Sequence, residues 1–113
     1  MSKREPKLLI GDIIESAEKI KEYTAHLTFE KFLQDSKTRD AVVRNFEIIG
    51  EAANRLPKEF KQTYASINWS RIIGFRNRIV HDYFGIDYKI VWRIIQKNLD
   101  ELISDMNSII TEL

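Results

Sequence analysis

The chain has 113 residues, 43% hydrophobic and 31% charged, which suffices for one packed core, leaves no room for two and is unlike a disordered chain. It contains no cysteine, which excludes disulfides and thiolate metal sites and fits a reducing, cytoplasmic setting. Its formal net charge of +1 gives nucleic acid no global attraction, so any RNA contact has to come from a local patch.

Four glycines and two prolines punctuate the sequence, strand-type alternation is nowhere sustained, and helical spacing runs nearly throughout. The first helix is expected from about Leu8 to about His26, with Ile10, Ile13, Ile14, Ala17, Ile20 and Leu27 on one face and Asp12, Glu15, Glu18, Lys19 and Glu22 on the other. Gly11-Asp12 cuts off the apolar run Leu8-Leu9-Ile10, so the N-terminus reads as a helix start and not as a signal peptide. Thr28 caps a short helical piece ending at Leu33. A second long helix spans about Ser36 to Leu56, with Val42, Phe46, Ile49, Ala53 and Leu56 in one stripe and Ala41, Ile48 and Ala52 in a second. Gly50 inside it costs about 1 kcal/mol against alanine, which a close helix crossing would explain. Pro57 either ends that helix or starts a short turn of helix through Tyr64. A third helix is expected from Asn68, its cap, to about Phe84, with Gly85 as its stop. Asp87 caps the last and longest, to about Glu112, where Val91, Ile95, Leu99, Leu102, Met106, Ile109 and Leu113 follow heptad-like steps. These steps read as bundle core, since they span fewer heptads than a coiled coil needs. No window approaches the roughly 18 apolar residues of a membrane span. The chain therefore reads as a single all-α domain over residues 1–113.

The third helix is unusual. On a wheel at about 100° per residue, Ile72, Phe75 and Ile79 form one apolar flank and Ile73, Val80 and Phe84 another. Arg76 and Tyr83 lie between the flanks, and Asn77 and His81 share a ridge beside the second. One flank serves the core of the chain. A two-fold axis would cover the other by burying the same patch twice, so a homodimer through this helix is expected.

His81 is one of two histidines and the natural proton shuttle near neutral pH. Arg76 offers a permanently charged, planar fork suited to phosphate oxygens, and Asn77 adds a neutral donor. Phosphodiester cleavage in RNA without a metal needs such a pair. The histidine moves the 2′-hydroxyl or leaving-group proton, and the arginine neutralises charge developing on the phosphoryl oxygens. One histidine cannot readily do both proton transfers, and a symmetric dimer brings a second His81 to the same cleft. The competing reading is a surface or core-capping pair. About 140° separates Arg76 from His81 on an ideal helix, an awkward geometry unless the helix bends or ends nearby.

Arg76-x4-His81-x-Tyr83 resembles the Arg-x4-His-x-Tyr motif of HepT toxins, in the HEPN superfamily of helical ribonucleases. Ile48-Ile49-Gly50-Glu51-Ala52-Ala53 is similar to that family's glycine-containing second helix. Ile67-Asn68-Trp69 through Gly74 resembles its approach to the motif, and Tyr83-Phe84-Gly85-Ile86-Asp87 with Val91-Trp92 its exit. The resemblance implies a HEPN-type up-and-down bundle of four to five helices, dimerising near the motif helix. It implies a metal-independent endoribonuclease with Arg76 and His81 catalytic and Asn77 supporting. It also implies an antitoxin partner, a nucleotidyltransferase of the MntA type, that transfers AMP from ATP to Tyr83 and silences the enzyme. The alternative is a non-catalytic binding subunit of such a nucleotidyltransferase complex.

The remaining polar residues read structurally. His26 suits the C-terminus of the first helix, bonding its last carbonyls. Arg44, Glu47 and Glu51 suggest interior salt bridges, and Trp69 and Trp92 core anchors, ahead of RNA stacking. Arg71 and Arg78 fit RNA steering and solvated charge equally well. Asp82, adjacent to His81 on a helix, would not face it. Two distant histidines without a carboxylate spacing pattern argue against a metal, and no cofactor is indicated.

Overall fold

A computed structural model describes residues 4–81 and 85–113. Helix α1 (Pro6–Thr24) opens with proline in its first turn, where the missing N–H costs nothing. Helix α2 (Phe29–Gln34) is capped by the Thr28 hydroxyl, which accepts from the Lys31 N–H at 3.2 Å. Helix α3 (Ser36–Arg55) is capped by Asp35, whose carboxylate accepts from the Thr38 N–H and hydroxyl. After Pro57 comes the short α4 (Lys58–Thr63). Helix α5 (Trp69–Ile73) starts at Asn68, whose side chain accepts from the Arg71 N–H at 3.1 Å, and α6 (Phe75–Ile79) follows across Gly74. Strands β1 (Val80–His81) and β2 (Gly85–Ile86) pair antiparallel, Val80 opposite Ile86 and His81 opposite Gly85. Helices α7 (Tyr88–Lys97) and α8 (Leu99–Ile110) complete the order.

The architecture is the expected all-α bundle. α1 lies along α3, α8 packs on α1, and α5 and α6 cross α3. One contiguous core runs from Leu9 to Ile109 through every long helix. The heptad-like positions Val91, Ile95, Leu99, Leu102, Met106 and Ile109 are buried in it, while Leu113 is exposed. The close crossing at Gly50 is present: a Cβ there would lie 3.1 Å from the Ile73 carbonyl oxygen.

The third helix departs from expectation. It breaks at Gly74, where a Cβ would meet the Ser70 carbonyl oxygen at 3.0 Å, and it ends at Ile79 instead of running to Phe84. Val80 turns extended, at φ −108° and ψ 121°, as suits two successive β-branched residues. The Ile79 carbonyl accepts from the Asp87 N–H at 2.8 Å, so the return strand satisfies a group a longer helix would have used itself. Gly85, at φ +76°, begins β2 and does not stop a helix. Asp82, Tyr83 and Phe84 lie outside the described residues. The last helix is divided at Asn98, yet its ladder continues from Asn98 N–H to the Ile94 carbonyl and from Leu102 N–H to the Asn98 carbonyl. Counted as interrupted helices, α5–α6 and α7–α8 join α1 and α3 as the four members of the bundle. Among the described residues no helix is long and apolar enough to cross a membrane.

Candidate active site

The motif helix is fixed from below by its apolar flank. Ile72, Phe75 and Ile79 are buried, and the Phe75 ring meets Phe46 of α3 edge-on at 5.6 Å. A buried aromatic pair of this kind holds two helices at a set spacing. Ile73 and Val80, of the second flank, are partly buried against the same core, so the protomer itself covers some of the surface that a partner was expected to take. Arg76, Asn77 and Arg78 are exposed.

Arg76 projects into a cleft of about 430 Å³ between α1, α3 and α6. Its floor is one face of α3, formed by Arg44, Glu47, Ile48, Glu51, Ala52 and Arg55, with Arg4, Leu9 and Asp12 on the α1 side. Two of its four arginines are neutralised. Arg4 pairs with Asp12 through Nε and Nη2, both at 3.1 Å, and Arg55 Nε pairs with Glu51 at 3.0 Å. Arg76 and Arg44 form no ion pair among the described residues. A guanidinium that lines an open cleft and is not engaged by one of its carboxylates can donate to an oxyanion.

His81 follows on β1, opposite Gly85. Because the helix has ended two residues earlier, the 140° separation of an ideal helix no longer governs where Arg76 and His81 stand relative to each other. Asn77 shares the exposed surface of α6 with Arg76. Tyr83 lies outside the described residues. Among the described residues no three His, Cys, Asp or Glu side chains gather as a metal site would require.

Several other sequence-derived roles change. His26 does not cap α1 through its side chain. It is exposed and adopts φ 67° in a turn closed by the Leu27 N–H on the Thr24 carbonyl. Glu51 pairs with Arg55 along one helix, and Arg44 and Glu47 face the cleft in place of forming interior bridges. Arg71 is drawn to α8, its Nη2 3.9 Å from Glu101, and Arg78 sits 5.9 Å above the Phe75 ring. Trp69 is a core anchor whose indole N–H donates to the Tyr64 carbonyl at 3.1 Å. Trp92 packs against Phe29 and Phe32. Burial beside the negative charge of Glu101 holds the Asp105 carboxyl above its ordinary range, while Arg71 pulls the other way. Sequence reasoning missed the cleft role of Arg44. The available signal was its place at the head of a helical stripe with Glu47, Ile48, Glu51, Ala52 and Arg55.

A family profile described as "Ribonuclease HepT-like" matches residues 13–109. The chain belongs to the HepT-like ribonuclease family. The matched span runs from the middle of α1 almost to the end of α8 and includes the whole Arg76-to-Tyr83 motif. Among HepT-like relatives, "Probable ribonuclease HepT" of Thermococcus cleftensis is 39% identical over 100 residues, covering 88% of this chain and 91% of that protein. "Putative RNase MJ0127" of Methanocaldococcus jannaschii is 35% identical over 113 residues, covering 100% of this chain and 93% of its own. No solved structure matches the chain.

Proposed function

We propose that this HepT-like ribonuclease is a toxin that cleaves RNA internally, without a metal, at a cleft shared by two protomers of a homodimer. Arg76 binds the scissile phosphate and neutralises the charge that builds on its non-bridging oxygens. One His81 removes the 2′-hydroxyl proton, and the 2′-oxygen attacks phosphorus. The P–O5′ bond breaks, and the second protomer's His81 protonates the leaving 5′-oxygen. The products are a 2′,3′-cyclic phosphate and a 5′-hydroxyl. Asn77 contributes a neutral donor that orients the phosphate. The observation carrying this reading is the Arg76 guanidinium, without an ion-pair partner among the described residues, in an open cleft at the helix end that leads into His81.

A nucleotidyltransferase antitoxin of the MntA type silences the enzyme by transferring AMP from ATP to the Tyr83 hydroxyl, releasing pyrophosphate. A phosphodiester on the motif tyrosine adds bulk and negative charge to the motif and offers Arg76 an internal anion in place of RNA. The test is cleavage of RNA by the purified chain in EDTA. His81→Ala is expected to abolish cleavage while leaving the dimer intact, and retained activity would falsify the catalytic assignment. Tyr83→Phe should keep nuclease activity and lose AMP incorporation by the antitoxin. Incorporation that persists in that variant would place the modification elsewhere.

A further inference from the structure

We propose that Arg44 is a second phosphate-binding residue of the RNA site, gripping the strand backbone across the cleft from Arg76. The inference rests on the ribonuclease reading and adds a residue to it. Arg44 lies on α3 and Arg76 on α6, and both line the same cleft of about 430 Å³. The Phe46–Phe75 pair ties these two helices together at 5.6 Å, so the backbone positions from which the two arginines extend are set by the core and not by flexible loops.

Charge within the cleft decides which groups are available. Arg4 is held by Asp12 and Arg55 by Glu51. Glu47 stands one turn along α3 from Arg44, yet no ion pair joins them. Among the described residues, two uncommitted guanidinia thus line the cleft with one uncommitted carboxylate. This unequal set has a net attraction for an anion that the near-neutral chain as a whole lacks. A polyanionic strand fits it better than a lone phosphate does, because the two arginines come from separate walls. In that arrangement Glu47 repels the strand and weakens binding.

The experiment uses the full chain and a fluorescent 2′-O-methyl RNA, which lacks the nucleophilic hydroxyl and cannot be cleaved. Binding is followed by anisotropy across a salt series, with oligomeric state measured by light scattering in parallel. Arg44→Ala is expected to weaken binding about tenfold, as for loss of one charge-assisted contact. The salt slope should fall by about 0.7, the single-strand value for one phosphate. Arg44→Lys should restore the slope and only part of the affinity, since lysine keeps the charge and loses the fork. Glu47→Gln should tighten binding. The proposal is overturned if Arg44→Ala binds like wild type, if its binding falls only because it no longer dimerises, or if wild type does not bind the RNA. A chain that binds through Arg44 but fails to cleave ordinary RNA contradicts the nuclease reading alone. Cleavage with KM unaffected by Arg44→Ala contradicts this inference alone.

Discussion

His26 occupies a backbone state that a side chain makes costly. At φ 67° its Cβ crowds the following carbonyl, a cost of roughly 1 kcal/mol that glycine avoids. Its side chain is exposed and gives up no core contact on removal. His26→Gly is therefore expected to raise stability by about 0.5–1 kcal/mol in urea unfolding, offset in part by the entropy glycine adds to the unfolded chain. A loss of stability would show that the imidazole makes an unrecognised contact. Asp105 gives a pH-dependent case. Its carboxyl is held above the ordinary range, first by burial and then by Glu101, with Arg71 acting against both, so folding makes its proton harder to lose. A raised carboxyl pKa means that folding binds a proton, so this residue favours folding at acid pH and opposes it once pH rises through the raised value. Asp105→Asn should then raise Tm at pH 7, and the gain should shrink towards zero as pH falls below the ordinary carboxylate range. A gain that stays constant with pH would rule out the charge as its source. Neither feature could be read from the sequence. A histidine at positive φ looks like any helix-end histidine, and the proximity of Glu101 and Asp105 to Arg71 depends on how α5 meets α8.

Periodicity located the long helices because each buries one continuous face, and Thr28, Asn68 and Asp87 marked helix starts through side-chain caps, while the Asp35 cap of α3 went unread. Periodicity failed where long-range bonds took over. The apolar pattern from Ile72 to Phe84 continues at helical spacing, but the Ile79 carbonyl is taken by the Asp87 N–H, a partner eight residues away that no local pattern reveals. The same atoms locate the vulnerable point of the motif region. Asp87 closes the turn at Ile79 with its backbone and caps α7 with its carboxylate, which accepts from the N–H groups of Lys89 and Ile90. Asp87→Ala should cost about 1 kcal/mol of stability through the lost cap, and hydrogen exchange should speed first at the start of α7. Unchanged exchange there would mean that the cap adds little to the helix. Gly50 was legible because a glycine inside a strongly periodic helix calls for a reason, and the reason is the Ile73 carbonyl. Gly50→Val overpacks that crossing and should destabilise the chain by about 1–3 kcal/mol. It should also slow cleavage more than its stability loss explains, since Ile73 leads through Gly74 into the helix that carries Arg76. Cleavage that tracks stability alone would separate the crossing from the site.

At the scale of the whole molecule, the sequence pattern anticipated the bundle and motif, but not that Arg76 would share a cleft with Arg44, because that depends on how α3 and α6 are tied through Phe46 and Phe75. A protomer offers one His81 to a reaction that needs both a base and an acid, and the proposed dimer supplies the second. This makes a strong demand on mixtures. If each cleft needs two intact His81 residues, a dimer of wild type with His81→Ala is inactive. After subunit exchange at fixed total protein, activity should then fall as the square of the wild-type fraction. If each protomer works alone, activity should fall in direct proportion to that fraction, because every wild-type subunit keeps its site whatever its neighbour. Refolding the two proteins together at several ratios and measuring initial cleavage rates separates the two curves, by the largest difference in rate at equal amounts and by the largest ratio where wild type is scarce. A linear dependence, with exchange verified by tagged subunits, would remove the shared-cleft mechanism and leave each Arg76–His81 pair to act within its own chain.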